Sequence, residues 1–381
     1  MGGLVWASMA PFYLFFGVYL RSLGLTFGTI GSIMTIGSIL SSFPQIIIGA
    51  IADRIQHRKL IISFAMLARM MFSFMLLLSR DVLSLSIWYI GMSFSLSGFM
   101  PLAQSIVADQ SERDELGRSL GRYRLFGSGG WAISCVLTGW LAIENLRSIF
   151  AITFELSIIG FLVSIVLPEA KRKGDEAISI VPKEETKQSP VLMVIFMLSV
   201  FLACVGMGAA SSFLTISLSQ LGMGTFLLGI VIAIGAMCEV PSMYLSGLLC
   251  DRIGSFSVLA IGEAGLAAVY WLYGIVTNLY TYILVQGIRG ILYAVFTVSG
   301  MATSSSLGGR RRGSFFAGLY NLSYYLGTAP GPYFGGLISD YAGLSTMFFL
   351  SSAISFSSAI LLVPWIFGKK RSETKMHQSN A

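Results

Sequence analysis

Twelve long apolar runs dominate this 381-residue chain, and no other property constrains its fold so tightly. They fall at about 1–20, 27–52, 59–79, 82–108, 118–143, 148–167, 191–218, 225–250, 256–276, 279–306, 313–338 and 344–367. A run of roughly 20 apolar residues wound as a helix crosses a hydrocarbon core of about 30 Å. Lipid offers no partner to an unpaired N–H or C=O, so each run is expected to be helical. Composition agrees: 55% of residues are hydrophobic and 11% are charged. A mean hydropathy of +0.78 lies outside the range of water-soluble domains. The first run begins at Met1 with no basic segment or cleavage site, which argues against a cleaved signal peptide. Its abrupt start leads us to expect a few further residues upstream.

The net charge of +7 and pI near 9.2 are explained by placement rather than by nucleic acid. Taking alternate loops as one side, twenty of the twenty-five lysines and arginines share it, including Arg54, Arg58, Lys59, Lys171, Arg252, Arg310 and Lys369. The opposite loops hold Arg21, Arg80 and Arg147, while Arg69 and Arg289 lie inside runs. The positive-inside rule then makes both termini and the central linker cytoplasmic, with the chain multi-pass in the cell membrane. Cys135, Cys204, Cys238 and Cys250 have no paired spacing and read as small packing residues. With His57 and His377 the only histidines, no metal, haem or iron–sulfur set can be assembled. No phosphate loop or nucleophile elbow appears. The expectation is a protein that is not an enzyme and needs no cofactor.

The polar segment 169–190 divides the chain into halves that align with each other. A shift of 198 places Leu23-Gly24 on Leu221-Gly222, Gly31 on Gly229, Gly37 on Gly235 and Gly49 on Gly247. The same shift carries Asp53-Arg54-Ile55 onto Asp251-Arg252-Ile253, and a shift of 197 carries Gly121, Gly130 and Gly139 onto Gly318, Gly327 and Gly336. The expected organisation is a six-helix bundle over 1–168, a cytoplasmic linker over 169–190, a second bundle over 191–367 and a cytoplasmic tail over 368–381. Two such repeats suit alternating access around a site near the membrane midplane.

The stretch Gly49-Ala-Ile-Ala-Asp53-Arg54, followed by Arg58-Lys59, resembles the loop signature of the major facilitator superfamily, and Gly247 to Gly254 resembles its second copy. The resemblance covers essentially the whole chain and implies an all-α membrane protein of twelve transmembrane helices in two pseudo-symmetric bundles. It also implies that Asp53, Arg54 and Arg58 stabilise an outward-facing state. A carboxylate there could satisfy amides at a neighbouring helix N-terminus in only one of two arrangements. The second copy, with Asp251 and Arg252, lacks the trailing basic pair, since Ser255-Phe256-Ser257 stands there.

GRYRLFGSGGWA, residues 121–132, looks like the fifth helix of lactose-permease-type symporters. That resemblance makes Arg124 a hydrogen-bond donor to sugar hydroxyls and Trp131 the aromatic that stacks on the ring. Seven residues are two helical turns, so both share a face roughly 10 Å apart along the axis. Ser128 lies between them. A fixed fork of donors beside an aromatic plane suits a polyol. The pattern also departs from those symporters. Gln104 stands where they carry a substrate-binding glutamate, Arg289 where a histidine is expected, and Leu292 where the proton-coupling glutamate would be. These departures argue against a galactoside and leave another polar solute.

Charges inside spans are costly and are functional candidates by default. Glu239 and Arg289 lie midway down the eighth and tenth runs and are expected to face the cavity, close enough to pair or share substrate, with Glu239 the first candidate proton carrier. Arg69 and Glu155, at similar depths in the third and sixth runs, are expected to form a structural pair; Glu263 has no evident partner. Gly318, Gly327, Gly331, Gly335 and Gly336 in the eleventh run are expected to serve close packing at the interface between the halves. The functional expectation is a monomeric secondary transporter taking up a sugar- or nucleoside-like solute with a proton or another coupling ion. A drug/proton antiporter exporting amphipathic compounds is the alternative, and a non-transporting membrane sensor is the alternative of another class. Topology is testable by single cysteines at Asn145 and Ser372 in a chain whose native cysteines are replaced by serine. Impermeant thiol reagents should reach position 145 from outside intact cells and position 372 only after permeabilisation; the reverse pattern would invert the orientation.

Overall fold

The computed structural model describes residues 1–52, 58–95, 99, 102–103, 106–107, 116–166 and 190–379, with side chains except at 43–52, 58, 116–121, 190, 279, 308–315, 317 and 365–379. The chain forms helices α1 (Gly2–Ser22), α2 (Phe27–Ala52), α3 (Arg58–Leu78), α4 (Val82–Ser95), α5 (Leu116–Leu141), α6 (Ser148–Val166), α7 (Pro190–Gln220), α8 (Thr225–Ile253), α9 (Ser255–Ile275), α10 (Leu279–Thr328) and α11 (Gly331–Ser379). No strand occurs among the described residues. Within those residues, each of the twelve apolar runs falls on helix. Among the described residues, eight stretches are long and apolar enough to cross a membrane, and Phe27–Ser42 and Val82–Ser95 are shorter apolar helices. α5 is not among them, because Arg122, Arg124 and several glycines and serines dilute its apolar content.

The fifty residues of α10 contain two runs rather than one rod. In a straight helix, Tyr293 and Tyr324 would be about 46 Å apart at 1.5 Å per residue. Their hydroxyls meet at 3.0 Å, and Tyr320 packs against Gly300. The chain therefore reverses between Gly300 and Tyr320. Within α11, Gly343 (φ 82°, ψ 163°) makes the second reversal, in the left-handed region that favours glycine.

Contacts divide the chain into two compact units, Met1–Glu176 with Ser212–Val240, and Ala177–Ser211 with Pro241–Ala381. This division differs from one drawn at the linker. By contacts, the turn between α7 and α8 belongs with the first half. In the first unit α1 packs on α5 and α6, α3 on α6 and α4, and α2 on α4. The segment 212–240 packs there as well: a Cβ at Gly139 would meet Thr225 O at 2.6 Å, and Phe27 meets Phe213 edge-to-face. In the second unit α9 packs on both α10 and α11.

The duplication is visible in backbone detail. α1 ends with Gly24 at φ 86°, its N–H donating to Arg21 O (2.9 Å) and Leu25 N–H to Leu20 O (3.3 Å). α7 ends with Gly222 at φ 86°, donating to Ser219 O (3.0 Å), and Met223 N–H donates to Leu218 O (3.1 Å). Both are Schellman endings, and only glycine takes the left-handed position without strain. Close helix crossings repeat too. A Cβ at Gly130 would overlap Gly3 O, and one at Gly327 would meet Phe201 O at 2.5 Å. Gly327 and Gly331 of the eleventh run thus pack on α7, Gly331 against Val205 O, whereas Gly318 has open space where a side chain would be.

α1 carries Pro11, which has no N–H to give Ala7 O. Ser134 of α5 supplies the missing donor, its Oγ bonding Ala7 O at 2.7 Å. One residue on, Arg69 of α3 donates Nη2 to Ser8 O (2.7 Å) and Nε to Ser8 Oγ (3.0 Å). The expected Arg69–Glu155 pair is therefore corrected. Arg69 is buried against α1, and Glu155 is exposed on α6. Spacing along the chain fixed their depth but not the direction each helix faces. At the loops, Arg147 Nη2 binds Ser79 O (2.6 Å) and Leu77 O (3.2 Å) at the end of α3, where a cation suits the helix dipole. Asp81 accepts from Ser84 N–H (2.8 Å) and Oγ (2.9 Å), and these bonds hold its carboxyl below the usual range.

Ser134→Ala should lower stability by about 1–3 kcal/mol by orphaning a buried carbonyl. In a Pro11→Ala background, whose new N–H reaches Ala7 O, the same change should cost much less. Thermal unfolding of detergent-purified variants measures this cycle; additive losses would contradict the assigned role of Ser134.

Candidate functional site

α5 has two chemically different sides. Arg122, Phe126, Ile133, Leu137 and Trp140 are exposed, and at 3.6 residues per turn they share one side. Arg124, Ser128, Trp131, Cys135 and Thr138 lie on the other, with Ser128, Cys135 and Thr138 buried and Arg124 and Trp131 half-buried. The guanidinium therefore turns away from the apolar stripe, as an intramembrane cation must if it is to avoid lipid.

Opposite that side stands the N-terminal half of α1. Its approach is set by Gly3 and Gly130, whose backbones touch, and by Gly127, on which the Trp6 indole lies at 3.4 Å from where a Cβ would be. This brings the Arg124 guanidinium carbon 5.9 Å from the Trp6 ring, within cation–π range. Trp6 meets Trp131 edge-on at 6.3 Å, and Tyr13 meets Trp131 at 6.0 Å. Trp6 Nε1 is buried beside the Tyr123 side chain. The first unit thus gathers an arginine fork and three aromatic faces. The sequence pointed to Arg124, Ser128 and Trp131 as candidates and did not point to Trp6 and Tyr13. The signal for them was the glycine pair that brings α1 against α5.

In the second unit Arg289 is half-buried, with its guanidinium carbon 5.0 Å from the Tyr293 ring. It lies within electrostatic reach of Tyr270 and Tyr273 on α9. Tyr273 donates to Gln286 Oε1 (2.5 Å), Tyr282 donates to Tyr273 O (2.9 Å), and the Tyr293 and Tyr324 hydroxyls share a hydrogen bond. Glu239 is buried in α8 and belongs to the first unit, so it and Arg289 sit in different compact units.

Gln104, Asp53, Arg54 and the linker core lie outside the described residues. Gly49 lies in α2 and Arg58 opens α3, with side-chain surroundings outside the described set. Asp251 and Arg252 are exposed at the end of α8, before Gly254 at φ 85° turns the chain into α9. Gly247 has open space where a side chain would be. No group of three or more metal-binding side chains occurs among the described residues.

Comparison with known proteins places this geometry. The family model described as "MFS_1 like family" matches residues 4–350. An uncharacterized MFS-type transporter of Methanocaldococcus jannaschii is 25% identical over 88% of this chain and 85% of its own length. The multidrug resistance protein MdtG of Citrobacter koseri is 24% identical over 94% of this chain and 91% of its own. Among solved structures, the nucleoside transporter NupG superposes with a TM-score of 0.76 at 14% identity, covering 96% and 97% of the two chains. A bacterial homologue of the human lysosomal transporter Spinster, inward-facing and unoccupied, gives 0.73 at 15% identity over 98% and 95%.

Proposed function

The chain belongs to the MFS_1 like family and is a multi-pass membrane transporter; from that premise we propose that it moves a small polar organic solute, sugar- or nucleoside-like, by alternating access with proton-coupled symport. The observation that carries this reading is the Arg124 guanidinium beside Trp6, whose ring in turn meets Trp131, turned away from the exposed stripe of α5. Arginine offers five donors in a rigid fork, and aromatic faces take the apolar faces of a ring. A hydroxylated ring solute matches both. Ser128, Gln104 and Glu239, the candidate proton carrier, belong to the first unit in this proposal, and Arg289 offers a substrate-binding guanidinium in the second. Gly49, Asp53, Arg54 and Arg58, with Gly247, Asp251 and Arg252, act at the cytoplasmic loops to bias the two access states. The protein works as a monomer in the cell membrane with both termini cytoplasmic.

A second reading has its own support. Relatives 24% identical over most of their length are named for multidrug resistance, and an aromatic wall also binds amphipathic cations. An arginine inside the site opposes that reading by repelling a cationic drug. A sensor without transport would bind a ligand and exchange nothing.

Counterflow of labelled sugars, nucleosides and cationic drugs in proteoliposomes separates the three. We expect exchange of a polar ring solute and acidification of the medium to drive its accumulation. Ligand at a hundred times its dissociation constant should stabilise the purified protein by about 2.7 kcal/mol. Arg124→Ala and Trp6→Ala should both lose that stabilisation while keeping the unliganded melting point within a few degrees. Stabilisation by drugs alone, or unaffected by Arg124→Ala, would overturn the proposal.

A further inference from the structure

Glu263 on α9 is fully buried in the second unit, in the middle of a transmembrane run. Its surroundings can be read atom by atom. Ser199 of α7 donates its Oγ–H to Oε1 at 2.6 Å. Oε2 accepts no hydrogen bond. Ser358 of α11 stands beside the carboxyl as a second hydroxyl, and its Oγ also donates to Ser355 O at 2.6 Å. On the remaining sides, α7 contributes the Cys204 thiol, α10 contributes the Phe296 backbone against Gly262, and Ser355 lies one turn from Ser358. The nearest described cation on the packed elements, Arg289, acts on Tyr270 and Tyr273, two turns and more along α9.

A carboxylate here would face two serine hydroxyls and, among the described residues, no counter-charge, in a setting where an uncompensated ion costs several kcal/mol. A carboxylic acid suits this setting better: Oε1 still accepts from Ser199, and a proton on Oε2 removes the need for a counter-charge. Resting on the transport reading above, we infer that Glu263 is a proton-binding site of the second unit. The proton held there ties α9 to α7 and α11, is exchanged with water when that contact opens, and makes Glu263 a coupling group. Sodium fits less well, because one carboxylate and two hydroxyls fall short of the shell of oxygens a hard cation gathers.

The test is infrared spectroscopy on the full chain in proteoliposomes, joined to solute uptake. At neutral pH the wild type should show a buried carboxylic-acid carbonyl band that is absent from Glu263→Gln. Ser358→Ala, a smaller change whose variant should fold, should shift that band by removing a hydroxyl beside the carboxyl. Proton-driven accumulation should be lost in Glu263→Gln. A spectrum unchanged by either substitution would mean an ionised Glu263 and overturn the inference. Loss of the band on replacing choline by sodium would make the site a cation site instead, and accumulation undiminished in Glu263→Gln would make the acid structural; each overturns it. Should the wild type exchange no solute, the transport reading fails by itself, and the infrared bands still decide whether Glu263 holds a proton.

Discussion

Everything in this molecule answers to one constraint: inside a bilayer, a backbone or side-chain polar group must find its partner within the protein. α1 displays the consequence most clearly. Pro11 removes a donor from Ala7 O, and a serine from α5 replaces it; Ser8 O is held by the buried arginine of α3. A helix interrupted in this way is fixed to its neighbours at its weakest point. Trp6 and Tyr13 flank that point, on the same helix. The bonds that hold α1 against α3 and α5 therefore also set where the aromatic wall stands.

The two halves share their packing and differ in their chemistry. Gly130 against Gly3 has its counterpart in Gly327 against Phe201, and the Ser134–Ala7 contact has one in Gly331–Val205. The same shifts place Cys204 opposite Trp6, Asn321 opposite Arg124, and Thr328 opposite Trp131. Glu263 and Arg69 likewise correspond to Ala65 and Ala267. Duplication preserves glycines because backbones must touch. The residues that break the repeat are charged or aromatic groups whose burial packing alone does not explain.

Much of this was legible beforehand. Span length follows from bilayer thickness, and the repeat followed from glycine spacing, because both record backbone geometry. The paired Leu-Gly at 23–24 and 221–222 became matching helix ends for the same reason. What stayed hidden depends on helix orientation. Arg69 and Glu155 share a depth, yet they face different neighbours, and a serine on α1 serves the arginine. Trp6 and Tyr13 were lost among 15 tyrosines, 6 tryptophans and 27 phenylalanines, since nothing in a run of apolar residues says which ring meets α5. Glu263 seemed partnerless because its partners are serines from α7 and α11, which carry no charge signal.

The central proposal is that the guanidinium of Arg124 occupies a hydrated, solute-accessible space beside Trp6. Reactivity of an Arg124→Cys variant, in a chain whose native cysteines are replaced by serine, tests it most directly. The account predicts modification by a small water-soluble thiol reagent, slowed by the transported solute. A cysteine that ignores water-soluble reagents and reacts only with membrane-soluble ones would contradict it.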